Sequence, residues 1–130
     1  MATKCHVITE KHFAIFKHEA LRLIRLWAID DWKVSLVHER LKECYAQCRT
    51  EAVSRVCTLS LSTTGVEMDG NGDKHYAPTD FSIRETARHE VIHLLLADLD
   101  DVGRRRYATK DEVERASESV ARKLHELLPR

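Results

Sequence analysis

Apolar residues recur along this chain with two different periods, and the switches between them outline its elements. From Phe13 onward they fall at Phe13, Phe16, Ala20, Leu23, Ile24 and Trp27, with Lys17, Arg22 and Arg25 outside the stripe. That spacing predicts an amphipathic helix, and Thr9 stands where its N-cap belongs. Asp30-Asp31 breaks it. Trp32, Val34 and Leu36 then alternate with Lys33, Ser35 and Val37, which is the period of a strand. Two more strands are read from about Ala46 to Ala52 and from Arg55 to Thr63, joined by a Ser54-Arg55 turn. In the latter, Cys57, Leu59 and Leu61 face one way and Val56, Thr58 and Ser60 the other. An antiparallel meander is the simplest sheet these three strands make, with the first helix backing it. The segment from Glu39 to Gln47 fits a short helical turn or a continuing strand equally well.

Gly65 to Pro78 reads as a loop around the turn cluster Asp69-Gly70-Asn71-Gly72-Asp73. The cluster opens like an EF-hand, but Lys74 and Asp80 stand where that loop needs Gly and Glu, so calcium is not expected. A flap over a cleft is the simpler reading. Helical spacing returns from Ile83 to Leu99, with Ile83, Ala87, Val91, Leu94 and Leu95 in one stripe. Asp80 or Ser82 can cap this helix, and Ser82 with Glu85 makes a capping box. Asp98 to Tyr107 is a polar connection containing Arg104-Arg105-Arg106, a solvated run whose sharper use is contact with phosphate or an acidic substrate. Thr109 and Glu112 make a second capping box. They open a last helix from about Lys110 to Leu128, with Val113, Ala116, Ser117, Val120, Leu124 and Leu127 on one face. The order is that of an α+β fold in one domain, residues 1–130: an N-terminal helix, a small three-stranded and mostly antiparallel sheet, then two helices.

Composition narrows the class. The 130 residues are 43% hydrophobic and 32% charged, as in a globular chain that buries its own core. Lys+Arg and Asp+Glu are both 21, so the balance carries no electrostatic footprint for nucleic acid or a membrane surface. No apolar run is long enough for a membrane span, and the N-terminus lacks a hydrophobic signal core, so a cytoplasmic location is expected. Cys5, Cys44, Cys48 and Cys57 form no C-x-x-C pair and are expected as free thiols. Cys44 and Cys48 could chelate a metal only if helical and only with two further ligands.

The chemistry is concentrated in His89-Glu90-Val91-Ile92-His93. On a helix, residues four apart lie one above the other, so His89 and His93 can offer two imidazoles to one Zn²⁺. Glu90 is turned about 100° from His89, which brings its carboxylate beside the ion as a general base toward a zinc-bound water. A third ligand must come from elsewhere. Leu96 and Leu99 stand where a metzincin has its Gly and third His, which excludes that class. An acid from the last helix is the alternative, giving a His₂Glu site with an open fourth position. Glu114, about 90° from the centre of that helix's apolar face, is the better candidate. Glu118, one turn on, can serve as a ligand or hydrogen-bond a ligating histidine. Asp98, Asp100 and Asp101 are weaker rivals because they follow His93 too closely.

With His89, Glu90, His93 and Glu114 in place, the chain resembles a gluzincin, a zinc peptidase whose H-E-x-x-H helix is completed by a glutamate from a later helix. Glu114-Arg115-Ala116-Ser117-Glu118 is similar to the E-x-x-S-D of thermolysin-like enzymes, with Glu118 in the Asp place. The element order resembles the small SprT-like and ImmA/IrrE-type metallopeptidase domains of bacteria and phages. The ending Ala121 to Pro129 is like the A-x-L-L-x-P close of the latter. The resemblance implies a minimal zincin that hydrolyses a peptide or protein substrate laid along an edge strand. His89, His93 and Glu114 would hold Zn²⁺, and Glu90 would be the general base. Tyr107, Tyr76 and His75 are the candidates for the oxyanion donor, with Tyr107 placed in the catalytic set. The alternative is a zincin-fold binding or regulatory module with a structural zinc, closed by His75 or His125 as a fourth ligand.

Overall fold

Thr9 opens the first helix, α1 (Glu10–Leu26), as a capping box: its hydroxyl accepts from the His12 backbone N–H, and its own N–H donates to His12 Nδ1. His12 therefore satisfies the backbone N–H of Thr9 at the helix start. The helix does not stop at the Asp30-Asp31 pair. It ends at Leu26 with Trp27 as C-cap, and the chain turns where Ala28 takes φ 54°. Ala28 N–H donates to Arg25 O and Ile29 N–H to Ile24 O, the two bonds of a Schellman motif. Ile29 then turns into the core.

In the computed structural model of the chain, the described residues are 4–67, 78–105 and 109–129. Among them the architecture is mixed α and β. A short strand β1 (Lys4–Val7) precedes α1, followed by β2 (Lys33–His38), β3 (Ala46–Glu51), β4 (Val56–Leu61) and β5 (Thr64–Glu67). The helices α2 (Asp80–Leu95), α3 (Ala97–Arg105) and α4 (Lys110–Leu127) complete the order. None of these helices is long and apolar enough to cross a membrane.

The sheet corrects the expected meander. β4 is the central strand, parallel to β2 and antiparallel to β3. The β3–β4 pair is the hairpin foreseen, turning at Arg55 with φ 57°. β2, however, lies on the far side of β4 and does not touch β3. β1 and β5 form a separate antiparallel pair that the hydrophobic pattern did not announce. Register then decides the core. Leu36, Leu59 and Cys48 stand in one row, and Val34 and Cys57 in the next. All of them face the same core as Phe16, Ala20 and Leu23 of α1 and Ile83, Ala87, Val91 and Leu94 of α2. α1 packs chiefly on α2, and α2 also lies against β3, so α2 is the buried axis of the molecule.

The chain from Asp98 onward is more regular than its polarity suggested. α2 ends at Leu95, and α3 occupies most of the expected connection. Arg55 ties its start to the sheet: the guanidinium lies 4.1 Å over the Trp32 ring and pairs with Asp31 and Asp98. Thr109 caps α4 by accepting from Glu112 N–H, which is one half of the expected capping box; the cap shows no return bond from the Glu112 side chain.

Candidate metal centre

Thr79 caps α2, one residue before the Asp80 expected, and its capping-box partner is Ser82. Ser82 with Glu85 is not the box; the Glu85 carboxylate lies 2.7 Å from His125 Nε2 on α4. From that start, three turns of helix bring His89 and His93 to the floor of a cleft of about 780 Å³. β3 and the segment before it (Glu43 to Thr50) form one wall; α3 and α4 supply Asp100, Arg104, Glu114, Ser117 and Glu118.

His89 Nε2 and His93 Nε2 are 3.1 Å apart, as the i, i+4 spacing requires. The acid that meets them is Glu118. Its Oε1 is 2.7 Å from His93 Nε2 and its Oε2 is 3.6 Å from His89 Nε2. These three residues are a group able to hold a metal ion, with donor atoms within 4.8 Å of one another. A tetrahedral Zn²⁺ with bonds of 2.0–2.1 Å needs donors about 3.4 Å apart; the two imidazole nitrogens stand near that spacing, and Glu118 offers a different oxygen to each of them.

Glu114, the expected third ligand, is in the same cleft but one turn away. Its carboxylate is 3.5 Å from Arg104 Nη2 and 3.9 Å from Lys110 Nζ. Both glutamates lie on the cleft side of α4, and sequence periodicity alone did not separate them. Arg104, read as a solvated or substrate-binding arginine, bridges Asp100 at 3.1 Å and Glu114, linking α3 to α4 at the rim. Tyr107, Tyr76 and His75 lie outside the described residues. His125 is engaged with Glu85, so the fourth ligand imagined for a closed structural site is not supplied by it.

Glu90 lies in the cleft wall with 7% of its surface exposed. Burial, then the charge of Glu118, push its carboxyl up to about 8. An acid in that setting holds its proton until positive charge arrives nearby to stabilise the ionised form. His89 is shifted the other way: burial, then the neighbouring His93, lower it and favour the neutral imidazole that metals require. The thiols of Cys44 and Cys48, which also line the cleft, are raised, Cys44 by burial and Cys48 by its 3.8 Å contact with Cys57 and by burial. Protonated thiols are poor ligands and poor nucleophiles, so the chemistry rests on the imidazoles and carboxylates. Cys48 is on a strand, not on the helix that a Cys44–Cys48 chelate required.

Comparisons of the chain with protein families, with curated proteins and with solved structures each find no match.

Proposed function

We propose that the protein is a zinc-dependent peptidase. His89, His93 and Glu118 hold the ion, Glu90 is the general base, and a peptide substrate runs along β3. The observation that carries this reading is the set of three donors within 4.8 Å of one another with a buried carboxyl in the same cleft. Three protein donors among the described residues leave a fourth position open, as catalytic zinc sites do. When bound there, Zn²⁺ supplies a Lewis acid for the scissile carbonyl and lowers the pKa of water from 15.7 to about 7.

The chain's own residues do the rest. Glu90 accepts a proton from the attacking water and passes it to the leaving amine, a transfer its shielded position suits because bulk water does not compete. Glu118 and the two imidazoles would fix the ion at the floor of the cleft. β3 is an edge strand, with Ala46, Gln47, Cys48 and Thr50 along the cleft. Its free edge can take an extended peptide by main-chain hydrogen bonding, which aligns the scissile bond without demanding a particular side chain.

The test pairs metal content with hydrolysis. Purified wild type and Glu90→Gln are both expected to carry about one zinc per chain, with cleavage of an unstructured protein such as casein in wild type alone. Absence of stoichiometric zinc from wild type would sink the metal centre. Zinc in both proteins with cleavage in neither would favour the regulatory-module reading.

A further inference from the structure

Arg88 precedes His89 on α2, does not line the cleft, and is 3% exposed. Its guanidinium is spent on the end of α4. Nε donates to His125 O at 3.1 Å, Nη1 to Pro129 O at 2.7 Å, and Nη2 to Leu128 O. The carbonyls at a helix C-terminus have no partners within the helix and carry its negative pole, so a cation there is doubly favoured. The same guanidinium lies 5.3 Å over the Trp27 ring at the end of α1. One turn earlier on α2, Glu85 reaches His125 Nε2. Two side chains one turn apart on α2 therefore hold the last turn of α4.

We infer that Arg88 is a positioning residue for the metal centre: by clamping the C-terminus of α4 it fixes the axial register at which Glu118 meets His89 and His93. The inference rests on the metal-site reading above. α2 and α4 run antiparallel, Glu85 and Arg88 opposite His125, His89 and His93 opposite Glu118. Glu118 is seven residues before His125, about 10 Å along a rigid helix. A helix fixed at one end transmits that register. A slip of one turn, about 5.4 Å, would present Glu114 or Arg122 to the histidines in place of Glu118. An arginine is needed because its planar fork reaches three carbonyls at once, whereas a lysine is a point charge that keeps the attraction to the helix end and loses the geometry.

The experiment is a double-mutant cycle on zinc affinity, read by competition with a chromophoric chelator, with circular dichroism to verify folding. The proteins are wild type, Arg88→Lys, Glu118→Ala and the double variant. Arg88→Lys is expected to weaken zinc binding tenfold or more when Glu118 is present and less than twofold when it is not. A purely structural role would weaken binding equally in both backgrounds, and that additive result overturns the inference. If Arg88→Lys does not fold, Glu85→Gln decides in the same cycle. A loss of threefold or more confined to the Glu118 background supports the clamp, and no such loss overturns it. Failure of wild type to bind zinc at all would instead strike the metal-site reading.

Discussion

Glu90→Gln should stabilise the metal-free protein, and by an amount that depends on pH in a defined direction. The carboxyl of Glu90 sits near 4.5 in an unfolded chain and is pushed up to about 8 in the fold, by burial first and by Glu118 second. Below pH 4.5 it is neutral in both states and contributes nothing. Between these values the folded protein keeps a proton that the unfolded chain releases, so stability falls as pH rises. Above pH 8 both states are ionised and the whole penalty is present. At 1.36 kcal/mol per pH unit, the span is on the order of 5 kcal/mol, an upper figure if water reaches the carboxylate. Glutamine has nearly the same shape and does not titrate. Urea unfolding in chelator should therefore show wild type and Glu90→Gln close together at pH 5 and separated by several kcal/mol at pH 9. Adding Zn²⁺ should shrink the gap, since a cation at His89 and His93 stabilises the ionised form. A difference that is constant from pH 5 to pH 9, or a variant less stable than wild type at pH 9, would refute the argument.

Glu118→Gln should lower zinc affinity by about tenfold or more, whereas Glu114→Gln, one turn away and paired with Arg104, should change it by less than about threefold; chelator competition reads both, and the reverse order would restore Glu114 as the ligand. Ala28→Gly should raise stability by about 0.5–1 kcal/mol, because Ala28 holds φ 54° in the Schellman turn and glycine relieves the left-handed strain while adding some unfolded-state entropy; an unchanged or lower thermal midpoint would count against it. Leu59→Ala, at a fully buried position on the central strand, should cost about 2–5 kcal/mol in urea unfolding, and a loss below about 1 kcal/mol would mean the core at β4 collapses around the gap.

What could be read from the sequence was local. His89 and His93 meet because four residues are about one turn, and no tertiary contact is required. Thr9 and Thr109 cap their helices through bonds that span three residues. The alternation that turns Cys57, Leu59 and Leu61 inward is likewise a property of one strand. What could not be read was set by partners far along the chain. The hydrophobic pattern of β2 fits either side of β4 and either direction, and it is the three-dimensional packing that places it parallel on the edge opposite β3. β1 and β5 are four residues each and pair across the whole N-terminal half, too short for a periodic signal. The polarity of Asp98 to Arg105 suggested a loop, yet Asp100 and Arg104 pair at i, i+4 along α3.

The third ligand shows the same division at the scale of one site. Glu114 and Glu118 are one turn apart on a face that the helical wheel treats as nearly equivalent. The choice between them is an axial register, and in this fold the register is held by Arg88 on three carbonyls and by Glu85 on His125. Two donors of the proposed centre therefore belong to α2 outright, and the third would arrive with the docking of α4. Metal affinity then includes the free energy of that docking, and by linkage zinc must strengthen the α2–α4 contact by the same amount. At a free zinc concentration a thousand times the dissociation constant, binding stabilises the fold by about 4 kcal/mol against a state that does not bind zinc; the share felt by α4 docking is smaller, because His89 and His93 alone keep some affinity. Hydrogen exchange of α4 amides should slow on adding zinc to wild type. In Glu118→Ala, where the ion can touch α2 alone, zinc should leave α4 exchange unchanged; equal protection in both proteins would show that the third donor does not come from α4.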